Sequence, residues 1–260
     1  MNIATILGFV IAFGGILVGY ILEGGEISAL LLLSPALIVF GGTFGAAFIS
    51  FNMLQIKSFP KLLIEAFRFS GGENIQKTAA QLEEMATLCR AKGILALESY
   101  LNEHNEVDPV MKRGATIMID GIEHERLIET MEAEVDVIEK AEHQNIALWE
   151  AMAGFAPTMG VLGTVMGLVH TLGNMGEPSE LTRSIASAFI ATLYGVGIAN
   201  ILFMPIATKL KTNMKFNMLG YELMIRGIDS IQRGMNPRNV HDMCEPYLDA
   251  IGKLNAKSDK

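Results

Sequence analysis

The side chains best able to do chemistry in the apolar parts of this sequence are hydroxyls. Pro157, Thr164 and Thr171 recur at spacing seven, on one face of a helix, and Thr192 lies in a second apolar run with Pro205 near its end. Threonines in such a setting either bond back to carbonyls of their own helix or line a wet path for an ion. A proline inside the helix frees a backbone carbonyl and permits a kink. Proton and cation relays in membranes use Asp, Glu or His at depth. These runs contain no acid, and His170 is the one side chain in them that titrates near neutral pH. If ions pass here, the titrating carboxylate comes from another chain.

Other chemistries lack their signatures. There is no GxxxxGK[ST] loop to cradle phosphate, and Gly195-Val196-Gly197-Ile198-Ala199-Asn200 falls short of GxGxxG. His124-Glu125 begins like a zinc-protease motif, but Ile128 stands where the second histidine is needed. Cys89 and Cys244 are far apart and have no metal-ligand neighbourhood, as expected of reduced thiols. Paired acids such as Glu83-Glu84 read as a solvated helix face. The sequence points to no enzyme and to no cofactor. A net charge of −8 without a basic arm argues against nucleic acid as a partner.

The elements that must carry the hydroxyls are set by where the charges are absent. Residues 1–22, 27–56, 151–176 and 184–208 contain no Asp, Glu, Lys or Arg. Each run is long enough to cross a bilayer, which takes ~20 apolar residues. The expected fold is an all-α integral membrane protein with spanning helices over 1–22, 27–51, 151–175 and 184–208. The short gaps Glu23–Glu26 and Glu177–Arg183 join them into two hairpins. A cytoplasmic helical domain over 52–150 separates the hairpins, and a helical extension with a tail covers 209–260. The N-terminal run lacks a positive n-region and exceeds the usual h-region, so it reads as a retained span and not a cleaved signal peptide.

Charge asymmetry sets the orientation. Of 20 Lys and Arg, ten fall in 57–150 and nine in 209–260, leaving Arg183 alone on the other face. The positive-inside rule then places the long segments and both termini in the cytoplasm. Those segments read as helices. Ile75, Ala79, Leu82, Met85 and Cys89 share a face before Gly93, and Asp108-Pro109 is an N-cap followed by proline. The pattern from Glu123 to Trp149 has no Gly or Pro break, so this helix should run on into the third span. The fourth span should likewise continue through Leu210, Met214, Tyr221 and Ile228. No period-2 pattern indicates a strand.

Small residues recur at close to spacing four in every span: Gly8, Ala12, Gly15 and Gly19; Gly41, Gly42 and Gly45; Gly160, Gly163 and Gly167; Ala188, Ala191, Gly195 and Ala199. Such stripes let helices approach closely in lipid. Four of them offer more contact surface than one bundle uses, which suggests an oligomer.

Four segments carry a family resemblance. The run Ala156-Pro157-Thr158-Met159-Gly160-Val161-Leu162-Gly163-Thr164-Val165 resembles the start of the third membrane helix of the MotA family of flagellar motor stator subunits. Phe189-Ile190-Ala191-Thr192-Leu193-Tyr194-Gly195 and Leu202-Phe203-Met204-Pro205-Ile206-Ala207 resemble its fourth. Arg90-Ala91-Lys92-Gly93-Ile94-Leu95-Ala96-Leu97-Glu98 is similar to its cytoplasmic segment. TolQ- or ExbB-like energisers of outer-membrane processes have three spans with the long portion after the first, so four spans with that portion after the second favour MotA. A scaffold that moves no ions would need neither the Thr and Pro positions nor an acid-bearing partner.

The resemblance implies a ring of subunits, thought to be five, around a MotB dimer. MotB would supply the membrane Asp and anchor the unit to peptidoglycan. Ion flow across the inner membrane would rotate the ring, and its cytoplasmic part would push on the rotor protein FliG. It further implies that Arg90 and Glu98 contact the rotor, that Pro157 and Pro205 are mechanically important, and that Thr164 and Thr192 lie beside the ion path. Sodium-driven relatives tend to carry two threonines before Leu-Tyr-Gly. Ala191 stands in the first of those positions, one oxygen fewer for a cation that must shed water, which favours the proton.

Overall fold

The computed structural model describes residues 3–67, 71–173 and 178–258. Residues 174–177, which include the end of the expected third span and the start of the second hairpin's turn, lie outside them. Every element among the described residues is helical. Four helical stretches are long and apolar enough to cross a membrane.

The helices are α1 (Ile3–Leu22), α2 (Ile27–Leu30), α3 (Leu33–Ala36), α4 (Gly42–Ser50), α5 (Met53–Phe67), α6 (Gly71–Lys92), α7 (Ala96–Glu103), α8 (Pro109–Ile119), α9 (His124–Gly173), α10 (Pro178–Ile198), α11 (Met204–Gln232) and α12 (Pro237–Ser258). Wider π-type turns over Leu37–Gly41 and Ala199–Phe203 join α3 to α4 and α10 to α11. The expected continuity is present: α9 is one helix of 50 residues, and the fourth span runs on to Gln232. Pro205 follows the second π-type turn and has no N–H for the Ile201 carbonyl, which loosens the ladder there.

The chain forms two units. The first comprises residues 1–69 and 143–211, the second 70–142 and 212–260.

In the first unit, α1 presents large apolar side chains all round; Val10 is 63% and Ile11 64% exposed. An apolar surface of that extent belongs in lipid. The second apolar stretch differs from the single helix expected over 27–51. It breaks at Leu31 and Leu32, whose backbones leave the helical region. The segment after it also departs from the expected boundary at 52. Asn52 and Gln55 cap each other reciprocally, side chain to backbone N–H at 3.0 Å in both directions, and so start α5. This helix packs within the membrane unit: Phe59 stacks on the buried Trp149 at 4.2 Å between ring centroids, and Ser58 Oγ lies 3.3 Å from Asn145 Oδ1. Phe44 meets Phe59 edge-on at 5.9 Å, closing an aromatic cluster.

The second unit has a water-soluble kind of core. Ile75, Ala79, Leu82 and Met85 of α6 are buried with Met111, Leu127, Met131, Leu223 and Ile228. Asp108 Oδ1 accepts from Val110 N–H at 2.8 Å, the expected cap of α8. At its surface, His241 of α12 reaches Glu83 of α6 at 2.7 Å.

Candidate functional site

The two arms of the second membrane hairpin pack together where α9 crosses α10, and small residues make the crossing. A methyl placed on Gly195 would stand 2.4 Å from the Ala156 carbonyl oxygen and 3.0 Å from Gly160 Cα. One on Gly160 would lie 2.9 Å from the Ala191 carbonyl oxygen, and one on Gly167 2.8 Å from Ala188 Cβ. Only glycine permits backbones this close. The stripes of the third and fourth spans are therefore spent on each other. Gly8, Gly15 and Gly19 of α1 meet nothing within 4 Å.

Close approach brings two of the expected hydroxyls together. Thr164 Oγ1 lies within hydrogen-bond distance of Thr192 Oγ1, of the Gly160 carbonyl at 3.1 Å and of the Ala188 carbonyl at 2.9 Å. Thr164 therefore reaches a carbonyl of its own helix and both a carbonyl and a hydroxyl of the neighbouring one. A hydroxyl has one proton to give. If Thr192 donates to Thr164, Thr164 passes its proton to a carbonyl; reversing the pair frees Thr192 as donor. Thr171 bonds to the Gly167 carbonyl of its own helix at 2.8 Å.

Ala191 is buried in the same crossing, and its Cβ would be 2.7 Å from a methyl placed on Gly163. It also borders a half-open cavity of about 230 Å³ with Ser34, Gly163, His170, Ser184 and Ser187. Its lining is mostly small and apolar, with three serines and His170 among it, and neither Thr164 nor Thr192 borders it. The structure does not gather the two prolines there. Pro157 lies two turns before Thr164 in α9, and Pro205 borders a separate cleft of about 410 Å³ with Gly8, Phe9 and Asn200.

Tyr194 was not singled out by the sequence, yet it joins the hairpins. Its hydroxyl donates to the Leu30 carbonyl and accepts from the Leu32 N–H at 3.2 Å. Those are backbone groups released by the break in the second span, where no water would satisfy them. A tyrosine deep in an apolar run and Pro35 in the facing one were the available signals.

In the second unit, Arg90 is exposed in the last turn of α6 and Glu98 in the first turn of α7. Neither enters an ion pair among the described residues. Burial pushes the Cys89 and Cys244 thiols up to about 11, which removes thiolate chemistry from both.

Membrane-length helices crossing at a glycine-lined hydroxyl pair, without an intramembrane acid, define a polytopic subunit of the ion-channel type. Residues 102–222 match the MotA/TolQ/ExbB proton channel family, and residues 6–93 match the motility protein A N-terminal family. Motility protein A of Bacillus subtilis is 33% identical over 254 residues, 98% of this chain and 93% of the relative. Chemotaxis protein PomA of Vibrio alginolyticus is 31% identical over 95% of this chain and 96% of its own length. Among solved structures, the C. jejuni MotAB chain superposes with a TM-score of 0.87 at 33% identity, covering 95% of this chain and 96% of that one. The flagellar MotAB stator complex of Bacillus subtilis gives 0.86 at 33% identity, over 96% and 97%. The chain belongs to the MotA/TolQ/ExbB proton channel family, in its motility protein A branch, and functions as a flagellar stator subunit of the proton-channel type.

Proposed function

We propose that copies of this chain form a ring, five around a dimer of a single-span MotB-like partner. The partner's membrane Asp sits beside the Thr164–Thr192 pair. The observation that carries this reading is that pair: two hydroxyls able to reverse their donor direction, in apolar spans with no carboxylate of their own. A proton moving along it needs an acid to load it, and the partner supplies that acid. The relatives of known structure are MotAB complexes, which supports a MotB-type partner. The spans over 1–22, 27–51, 151–175 and 184–208 lie in the inner membrane with both termini in the cytoplasm, and the partner is anchored to peptidoglycan.

Proton passage turns the ring, and Arg90 and Glu98 push electrostatically on FliG. Pro157 and Pro205 let α9 and α11 flex as the pair is loaded and emptied. The proton is favoured over sodium because Ala191 offers a methyl where a second hydroxyl would help strip water from a cation. Proton flux through the complex with the MotB-like partner tests this. Thr192→Val should lower it by roughly tenfold, the weight of one hydrogen bond, with membrane levels unchanged. Swimming speed should be indifferent to external Na⁺ at fixed proton-motive force. Steep dependence on Na⁺ would refute the coupling ion and leave the stator reading intact.

A further inference from the structure

We infer that the second unit carries an apolar docking cleft for an acidic amphipathic helix, adjoining Arg90. The cleft has a volume of about 430 Å³ and lies between the C-terminal ends of α6 and α11. Gly93 and Gly234 stop those helices with φ of +84° and +71°, conformations that suit glycine and turn the chain away to leave the gap. Ala86 and Ile231, both buried, form its floor.

The rim is out of character for the surface around it. Among the described residues of this unit, the exposed large apolar side chains are Ile94, Leu95, Ile122, Val137 and Met235, and three of the five line the cleft. Leu95 is 72% exposed and Met235 41%. A cluster of exposed apolar side chains marks an interaction site more often than scattered ones do. The cleft's charged residues are Arg90 and Lys92, and neither forms an ion pair among the described residues. Acids outnumber bases in the unit as a whole, so these cations are a local reversal.

The geometry selects the occupant. A half-open apolar slot of this size takes one or two large side chains from a helix, and the two cations receive carboxylates one turn away on the same partner helix. The unit's overall negative charge disfavours an anionic bilayer. This deepens the rotor contact proposed above and rests on that reading. Arg90 then acts as a register mark beside an apolar anchor, and the anchor supplies the salt-resistant part of the affinity.

The test uses the purified stator complex, this chain with its MotB-like partner, titrated with FliG at two salt concentrations. Leu95→Ser with Met235→Ser should weaken binding by about ten- to a hundredfold, the weight of one or two apolar side chains left in water. The residual binding should become steeply salt-dependent, and Leu95→Met should bind as wild type. Normal binding by the double variant while Arg90→Glu fails would overturn the cleft and leave the rotor reading standing. Normal binding by both variants would overturn the two together. A photocrosslinker at position 95 in the unsubstituted complex checks the site without removing the rim: adducts with FliG should form there and not from position 137. Adducts with lipid or with a second copy of this chain would overturn the proposal.

Discussion

The closest packing in the membrane unit is made by its smallest side chains, and in the second unit by some of its largest. Gly160, Gly163, Gly167 and Gly195 bring α9 and α10 together, whereas Leu82, Met111 and Met131 fill the second core. The difference follows from solvent. Lipid tails are as apolar as leucine, so burying leucine between helices in a bilayer gains little, and close backbone contact with hydroxyl bridges takes over. In water, removing apolar area is itself the driving force. The rule bends in both units: at an aromatic stack at the end of the membrane bundle, and at Gly114 and Gly227 in the second core, where an added methyl would lie 2.5 Å from Met131 Sδ and 2.4 Å from Leu82 Cδ1.

The largest expected effect comes from putting a large side chain into the membrane crossing. Gly195→Leu should abolish motility and stator assembly, because its first carbon would already collide with the Ala156 backbone. Gly15→Leu in α1 should leave the isolated subunit intact, since nothing lies within 4 Å; recovery of monodisperse protein after solubilisation compares the two. The converse truncation in the water-soluble core is Leu82→Ala, expected to cost ~2–5 kcal/mol. Faster hydrogen exchange across α6, α11 and α12, with the membrane amides unchanged, is the expected pattern. Uniform loosening of both units would break the distinction.

Tyr194→Phe should cost about 1–3 kcal/mol while removing a single oxygen. It strands the Leu30 carbonyl and the Leu32 N–H in an apolar setting. Thermal unfolding in lipid nanodiscs should show the loss, and Tyr194→Phe should be more harmful than Tyr221→Phe in the second unit.

The smallest expected effect is a pH dependence confined to the second unit. The Glu83 carboxylate holds the His241 imidazole above its ordinary value of 6.5, with Asp242 and Glu245 adding to the pull. A raised pKa means that the tie is fully present below about 6.5 and is lost as pH rises through the higher folded value. Hydrogen exchange at the start of α12, corrected for intrinsic rate, should quicken modestly over that rise. His241→Gln should remove the dependence.

Charge placement made the four spans readable, because a lipid-facing helix tolerates no Asp, Glu, Lys or Arg and the sequence obeys this in four long runs. Hydropathy is blind to breaks inside such a run. The interruption at Leu31 and Leu32 is stabilised by Tyr194, more than 160 residues away, and Pro35 is the local trace it left. The start of α5 left one in Asn52 and Gln55. That of α12 left Asn236-Pro237, the same kind of signal as Asp108-Pro109, with Asn236 Oδ1 accepting from Arg238 N–H at 3.2 Å. Sequence spacing placed Thr164 and Thr192 in neighbouring spans. Their contact depends on how α9 and α10 cross, which no spacing within one helix encodes. The cleft beside Arg90 is further out of reach, because its walls are drawn from segments some 140 residues apart.

Trp149 is the only tryptophan in the chain, and it stacks face to face on Phe59 with ring planes 9° apart. Excited selectively, the indole reports from one place only, the seam where α5 lies against α9 at the end of the membrane bundle. Its emission colour and anisotropy track whether that seam is dry and rigid or open and wet. A stator energised in vesicles thus carries an intrinsic optical gauge, and no dye need be attached to ask whether α5 moves while ions flow.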